Sequence, residues 1–460
     1  MRIINTKEDI RQALISKGYD VPTSIPFKEY AKMISDLPCR VDSFPDIEGI
    51  VARYSALGLT NEQMAANPVW VDKTGNGHDL QMKNFAWKEG SGISDIYPGA
   101  LVFDGVDDWA GCDNLPLLPK EKGYSIIALR NWITRYDATQ YKRPLISNLD
   151  TNDEGAFLIE YRKDENVNDV TGSYNIYIDD NNPITWQTSS SYNGQIIKKG
   201  TSKSTNKLCI CKTYFDQLSN YANASIWEIV ILDHDATEEE LTKIKDYFVK
   251  TYPWLFPDQA WTVTGKTNED EDRATIANIT GNSNDLVLSN FGFVEGSGYN
   301  EEGEYAGYLV TDGVDDKVVS AESIAFTDTW TIITDTVFLG KVSVASGILA
   351  SNIFTVYNYQ GSGTIAVTMG EGGSSLRVIT SSIKAFSSDG TIYDAEWNEY
   401  HVEIGTIRAL ERLLKIGTSS NETSYFCQLA FKFLGIYNNQ ILSKDDCIKA
   451  YNYLQTLKAK

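Results

Sequence analysis

Long apolar runs are missing from this chain of 460 residues. Nothing approaches the ~18 consecutive apolar residues of a membrane span, and residues 1–10 have no apolar signal core ahead of their charges. Positive charge is scarce as well: 41 lysines and arginines face 62 aspartates and glutamates, a formal charge of −21. Like charge repels a phosphate backbone, so nucleic acid and anionic membrane are excluded as expected partners, and the chain is expected to accumulate in the cytoplasm of its producer. Only three histidines occur, His78, His234 and His401, too scattered for a His-pair metal motif or a triad. Six cysteines, Cys39, Cys112, Cys209, Cys211, Cys427 and Cys447, do not fall at matching places in the two halves of the chain, which argues against a duplicated disulfide framework. Cys209 and Cys211 lie two apart in an apparent strand and are expected on one side of it, but nothing completes a zinc set, and the cysteines read as small buried hydrophobes. A homo-oligomer is compatible with this composition, but no coiled-coil heptads specify one.

What is present is a duplication. The run TGNGHDLQMKNFAWKEGSG at 74–92 returns as TGNSNDLVLSNFGFVEGSG at 280–298, and GALVFDGVDD at 99–108 returns as GYLVTDGVDD at 307–316. The spacing changes from 206 positions (74 to 280) to 208 (99 to 307), so a whole module was copied with small insertions. That period is far above the ~20–50 residues of solenoid or propeller repeats, and each copy is expected to fold around its own core. Short runs at 125–129, 174–178, 226–232, 330–334 and 364–368, rich in β-branched and aromatic residues and punctuated by Gly, Asn and Asp, predict a β-sandwich. Each module is expected to close with a strand, a turn and a helix capped by Thr237 or Ser443. Glu240 completes a capping box in the first, and Asp446 is its shorter substitute in the second. Leu241, Ile244 and Phe248, and likewise Cys447, Ala450 and Leu454, form apolar faces suited to lying on the sandwich.

Residues 1–40 read as a helical hairpin. Thr6 caps the first helix, Gly18 stops it, Pro26 opens the second, and Pro38 ends it. Ile10 and Leu14 on the first, with Phe27, Tyr30 and Ile34 on the second, make apolar faces too small to stand alone; they either cap the first module or dock a partner. The boundaries are therefore 1–44 for a helical adapter, 45–252 for one sandwich and 253–460 for the other, with the segment at 252–257 interrupting regular structure between the sandwiches.

The FDGVDD hairpin at 103–108, with the closing strand and helix, resembles the concanavalin A-like, laminin-G-type jelly-roll family over roughly residues 45–460, in two copies; the second copy departs from it at Thr311 and Gly435. The segments at 9–22 and 26–34 look like the amino-terminal part of many tailed-phage structural proteins, and the whole arrangement is similar to virion proteins of crAss-like gut bacteriophages. The resemblance implies a mainly β fold of two tandem jelly-roll sandwiches behind an N-terminal hairpin. It also implies a place in the virion, in a head or tail fibre or spike, with other virion proteins and host surface glycan as partners.

Asp104 and Asp312 stand before Gly105 and Gly313, a tight-turn signal, because glycine accepts the positive φ such turns require. Asp107 and Asp108, and Asp315 and Asp316, follow closely enough to offer oxygens to calcium, the one cofactor considered; stabilising the turn is the commoner use of Asp there. The oxygen-rich loop at 179–182 reads as solvated turn. A sugar site needs exposed rings beside polar groups, for which Trp87, Trp109, Trp186, Tyr192, Tyr357 and Tyr359 are candidates, while Trp132, Trp227 and Trp330 lie in apolar strand patterns and are expected in the core. No catalytic residues are assigned: the paired-carboxylate pattern Glu-x-Asp-x-x-Glu of jelly-roll glycosidases is missing, and the closing strand carries only Glu228. The chain is accordingly expected not to be an enzyme, with a glycoside hydrolase as the weakest alternative. Gly265, Lys266 and Thr267 mimic the end of a phosphate loop, but its leading glycine is Ala260; the acidic run at 268–272 reads as a solvated loop.

Overall fold

The computed structural model describes residues 44–118, 123–134, 142–148, 158–162, 184–188, 205–212, 221–340, 346–351, 354–358, 365–369, 375–378, 380, 382–405, 411–418 and 426–459. The expected hairpin with Ile10, Leu14, Phe27, Tyr30 and Ile34 lies outside them, as do Cys39, the 179–182 loop, Tyr192, Tyr359 and the side chain of Trp186. Among the described residues the chain is mainly β, as the β-branched and aromatic runs predict.

In the first half the ten-residue strand Asn223–Leu232 is the spine. Ser125–Thr134 pairs with it on one side, and Leu101–Asp104 and Ile50–Ser55 lie end to end along the other. The second half repeats this plan. Leu429–Asn438 pairs with Trp330–Phe338, and its other edge is shared by Tyr308–Val310 and Gln259–Thr262. Each half has a second antiparallel sheet, and apolar residues of both sheets meet between them. Phe103, Ile126 and Ile229 join Trp70, Leu80 and Ile146 in the first half; Trp330, Phe386 and Leu434 join Leu286, Phe354 and Val367 in the second. Burial of each such side chain is worth roughly 1.5–3 kcal/mol against exposure, so either cluster is a core in its own right.

Both spines carry a bulge at the same place, where Trp227 in one and Lys432 in the other are skipped by the pairing. This register makes Glu228 the counterpart of Phe433, and Val230 of Gly435. The two departures from the repeat are then explained. Thr311 replaces Phe103 and ties the strand end, its hydroxyl donating to the Cys427 carbonyl (2.6 Å) and accepting from the Leu429 amide (3.0 Å). Gly435 leaves room for Leu454, since a Cβ there would meet a Leu454 methyl at 2.7 Å.

The helices Glu238–Thr251 and Lys444–Thr456 start at Thr237 and Ser443, and the Thr237–Glu240 capping box is complete. They cover the outer faces of the spine sheets, where a third cluster draws on both halves: Trp227 and Phe248 with Trp254, Tyr437, Tyr453 and Leu454. Tyr453 meets Trp227 edge-on at 6.3 Å, the Tyr437 hydroxyl donates to the Trp254 carbonyl (2.9 Å), and the Asn452 amide donates to the Asp95 carbonyl (3.2 Å). The segment at 252–257 does interrupt regular structure, as a 3-10 turn at Pro253–Leu255, but Trp254 and Leu255 are buried in this shared layer.

Two expectations are corrected. Cys209 and Cys211 do not share a face: the strand ends at Ile210, and Cys211 takes a left-handed φ of 62° that turns it into the inter-sheet core beside Leu208 and Ile210, whereas Cys209 packs outside that cluster over Gly111. The run at 268–272 is more than solvated loop. Asn268 exchanges two hydrogen bonds with the backbone of Tyr299 (2.8 Å each), and Asp272 pairs with the buried Lys266 ammonium at 2.6 Å. Asn61 clamps Ile93 in the same way in the first half, so the clamp belongs to the repeat.

Candidate functional site

The FDGVDD turns behave as carboxylate-built corners. Asp104 Oδ1 accepts from the amides of Val106 (2.7 Å), Asp107 (3.2 Å) and Asp108 (3.4 Å), and Gly105 takes a φ of 75°. Asp312 Oδ1 accepts from Val314 (2.8 Å) and Asp315 (3.4 Å), with Gly313 at 76°. Asp108 and Asp316 are buried, and each uses Oδ2 to accept from the amide that opens its own turn, Asp104 (3.0 Å) or Asp312 (2.8 Å). A serine side chain, Ser91 or Ser297, also interacts with each carboxyl, but among the described residues the Oδ1 atoms have no hydrogen-bond partner of ordinary geometry, and burial pushes each carboxyl up to about 6. In each turn three carboxylates approach within 4.8 Å of one another, half the oxygens calcium wants, but Asp104 Oδ1 and Asp312 Oδ1 are already engaged by the turn.

Glu228 is buried and saturated. Arg53 donates to it through Nε (3.1 Å) and a terminal nitrogen (3.2 Å), and the hydroxyls of Tyr247 (3.2 Å) and Tyr252 (2.8 Å) donate as well. Such a carboxylate has no exposed surface and is held by four donors, away from where an acid, base or nucleophile would meet a substrate. His234 sits between Asp233 and Glu240 at 3.1 Å from each, His78 gives its carbonyl to the Tyr54 hydroxyl, and His401 is exposed; the three stay apart, as their sequence positions imply.

Trp132, Trp227 and Trp330 are core residues, as expected. Among the ring candidates, Trp87 stacks on Phe85 (centroids 4.9 Å, 17°) against the first core, Trp109 is half-buried with the Lys212 ammonium 5.0 Å from its centroid, and Tyr357 is half-buried. The richest collection of rings and charge went unseen in the sequence. It surrounds Asp335 on the outer face of the second spine sheet. The Tyr308 hydroxyl donates to Asp335 (2.9 Å), and Tyr451 adds a second hydrogen bond; burial still holds the carboxyl above its usual range. Lys432 lies over the Tyr308 ring (5.2 Å), and Lys384 over the rings of Tyr451 (4.8 Å) and Trp397 (5.2 Å). The available signal was a lysine inside each of two apolar strands, FKFLGIY and IKAFS.

No family model matches the chain, and no curated relative matches it. Among solved structures it is similar to a Trypanosoma rangeli sialidase in complex with sialic acid, at 11% identity and a TM-score of 0.29, covering 51% of this chain and 41% of that one. It is also similar to the botulinum neurotoxin serotype D ligand binding domain in complex with N-acetylneuraminic acid, at 9% identity and a TM-score of 0.32, covering 85% of this chain and 96% of that one. The chain thus spans about two fifths of the length of the sialidase.

Chemically, the described surface offers binding groups. Its buried acids are committed to turns, to an arginine or to tyrosines, while rings and two lysines remain partly open. No helix among the described residues is long and apolar enough to cross a membrane.

Proposed function

We propose that this chain is a rigid, non-catalytic display and recognition protein: two jelly-roll sandwiches at 45–252 and 253–460, carried on a helical adapter at 1–44 and serving as a structural component of a phage virion appendage. The observation behind the display role is the third apolar cluster, in which Trp227 of the first half packs with Trp254, Tyr437 and Tyr453 of the second in an apolar layer in place of a flexible linker. The virion assignment is supported by the resemblance of the N-terminal segment alone. Deleting residues 1–40 and measuring incorporation into purified particles tests it; a folded truncation that still incorporates fully removes the adapter role.

A second reading, saccharide recognition, is favoured by the half-open rings and lysines around Asp335. Hydrolysis is not part of either reading, because Glu228 is sealed beneath Tyr247 and Tyr252.

A further inference from the structure

We propose that the outer face of the second sandwich binds a carboxylate-bearing saccharide, with Lys384 and Lys432 taking the acid group and Trp397 and Tyr308 supplying ring surface. This deepens the saccharide reading and rests on it. Lys432 occupies the bulge that holds the buried Trp227 in the first half, and bulges re-aim the side chain they carry. Its strand neighbours Phe431 and Phe433 are fully buried, yet Lys432 is half-exposed. Lys384 is placed likewise between the buried Ile383 and Ala385. In a chain with 62 acids, neither ammonium has an ion pair or hydrogen bond among the described residues; both rest on aromatic rings. The acid between them, Asp335, is buried and taken by Tyr308 and Tyr451, so one positive charge is left over in a line that runs Lys432, Tyr308, Asp335, Tyr451, Lys384.

Trp397 adds a conformational signal. Its φ is 63°, a region bulky residues avoid, and the hairpin between Thr391–Asp394 and Glu399–His401 nevertheless carries Trp there, half-exposed against Tyr393 and Tyr451. Half-exposed rings match the apolar CH face of a sugar, and lysines match its carboxylate through charge-assisted hydrogen bonds. The net charge of −21 opposes any anion at long range, but it is screened beyond about 8 Å at physiological salt, while contact with the lysines is closer than that. The first half has Leu129 where Asp335 stands and buried Trp227 where Lys432 stands, so the duplication did not duplicate the site: one ligand per chain is expected.

The full chain should be tested by calorimetry and on an array against neutral lactose, sialyllactose and oligogalacturonate, with inorganic polyphosphate as a non-sugar polyanion. Expected are one site per chain, binding of the two acidic saccharides, and at least tenfold weaker binding by a Lys384→Gln, Lys432→Gln double variant. Trp397→Gly, which suits the positive φ, should lose binding while keeping its thermal midpoint. If the glutamine variant fails to fold, Lys384→Met with Lys432→Met keeps the stems packed on the rings and removes only the charge. Acidic-saccharide binding that survives both charge-removing variants, or that polyphosphate displaces as well as the saccharides themselves, overturns the site. Binding of lactose alone overturns the acidic preference and leaves the saccharide reading standing; binding of no saccharide overturns both.

Discussion

Arg53 and Glu228 show how one position tolerates opposite chemistries. The strand pairing sets Ala260 against Arg53 and Phe433 against Glu228, so the buried ion pair of one half is an apolar pair in the other. Removing one buried partner strands the other charge, at a cost of about 3–5 kcal/mol, whereas replacing both with packed apolar groups is often neutral. Glu228→Gln is therefore expected to lower stability by about 3 kcal/mol in a denaturant titration, and Arg53→Ala with Glu228→Phe to recover most of it; equal losses would mean the charges are not coupled. The turn acids make a second prediction. Asp108 and Asp316 titrate at about 6 in the fold, against about 3.9 in an unfolded chain, so between these values the folded state holds protons the unfolded chain has released. Their contribution is fully present below about pH 4 and is lost as pH rises through about 6. Asp108→Asn with Asp316→Asn keeps an oxygen for the turn amides and cannot titrate. It is expected to flatten the dependence of Tm on pH between about 4 and 7 relative to the native chain and to melt higher than the native chain at pH 8; an unchanged slope would contradict the burial argument, and a Tm raised by calcium only in the native chain would assign a cation to the free Oδ1 atoms.

Among the elements, the two closing helices were the most legible in sequence, because a cap and an apolar face are local signals: Thr237 with Glu240, and Ser443 with Asp446, start the helices where they were expected. The bulges were not legible. A skipped residue exists only relative to a partner strand, and Trp227 and Lys432 look like ordinary strand residues until Ser125–Thr134 and Trp330–Phe338 are laid beside them. Gly435 was visible as a departure without a reason, and the reason is the Leu454 methyl that fills its missing side chain. Gly435→Val, which restores the residue found at the matching first-half position, Val230, should overpack this contact and cost about 1–3 kcal/mol by thermal or denaturant unfolding. The paired variant Gly435→Val with Leu454→Ala should recover part of the loss, and full stability of the single variant would mean the helix is not held there.

At the scale of the molecule, the shared layer decides behaviour. Trp227 of the first half and Tyr453 of the second lie in one apolar cluster and meet edge-on, and Asn452 donates across to the Asp95 carbonyl, so the halves are expected to unfold together, in one calorimetric transition. Trp254→Ala, which opens a cavity worth about 3–5 kcal/mol, should split or broaden that transition; two transitions in the native chain would refute the coupling. The duplication, the β class and the capped helices can be read along the chain, because each is written in spacing and local pattern. That the halves share a third core, that Arg53 holds Glu228, and that Lys384, Lys432 and Trp397 gather around Asp335 follows from packing alone. Those contacts join residues such as Arg53 and Glu228, Tyr308 and Lys432, or Lys384 and Tyr451, which lie 175, 124 and 67 positions apart, and a linear pattern carries no record of which surfaces meet.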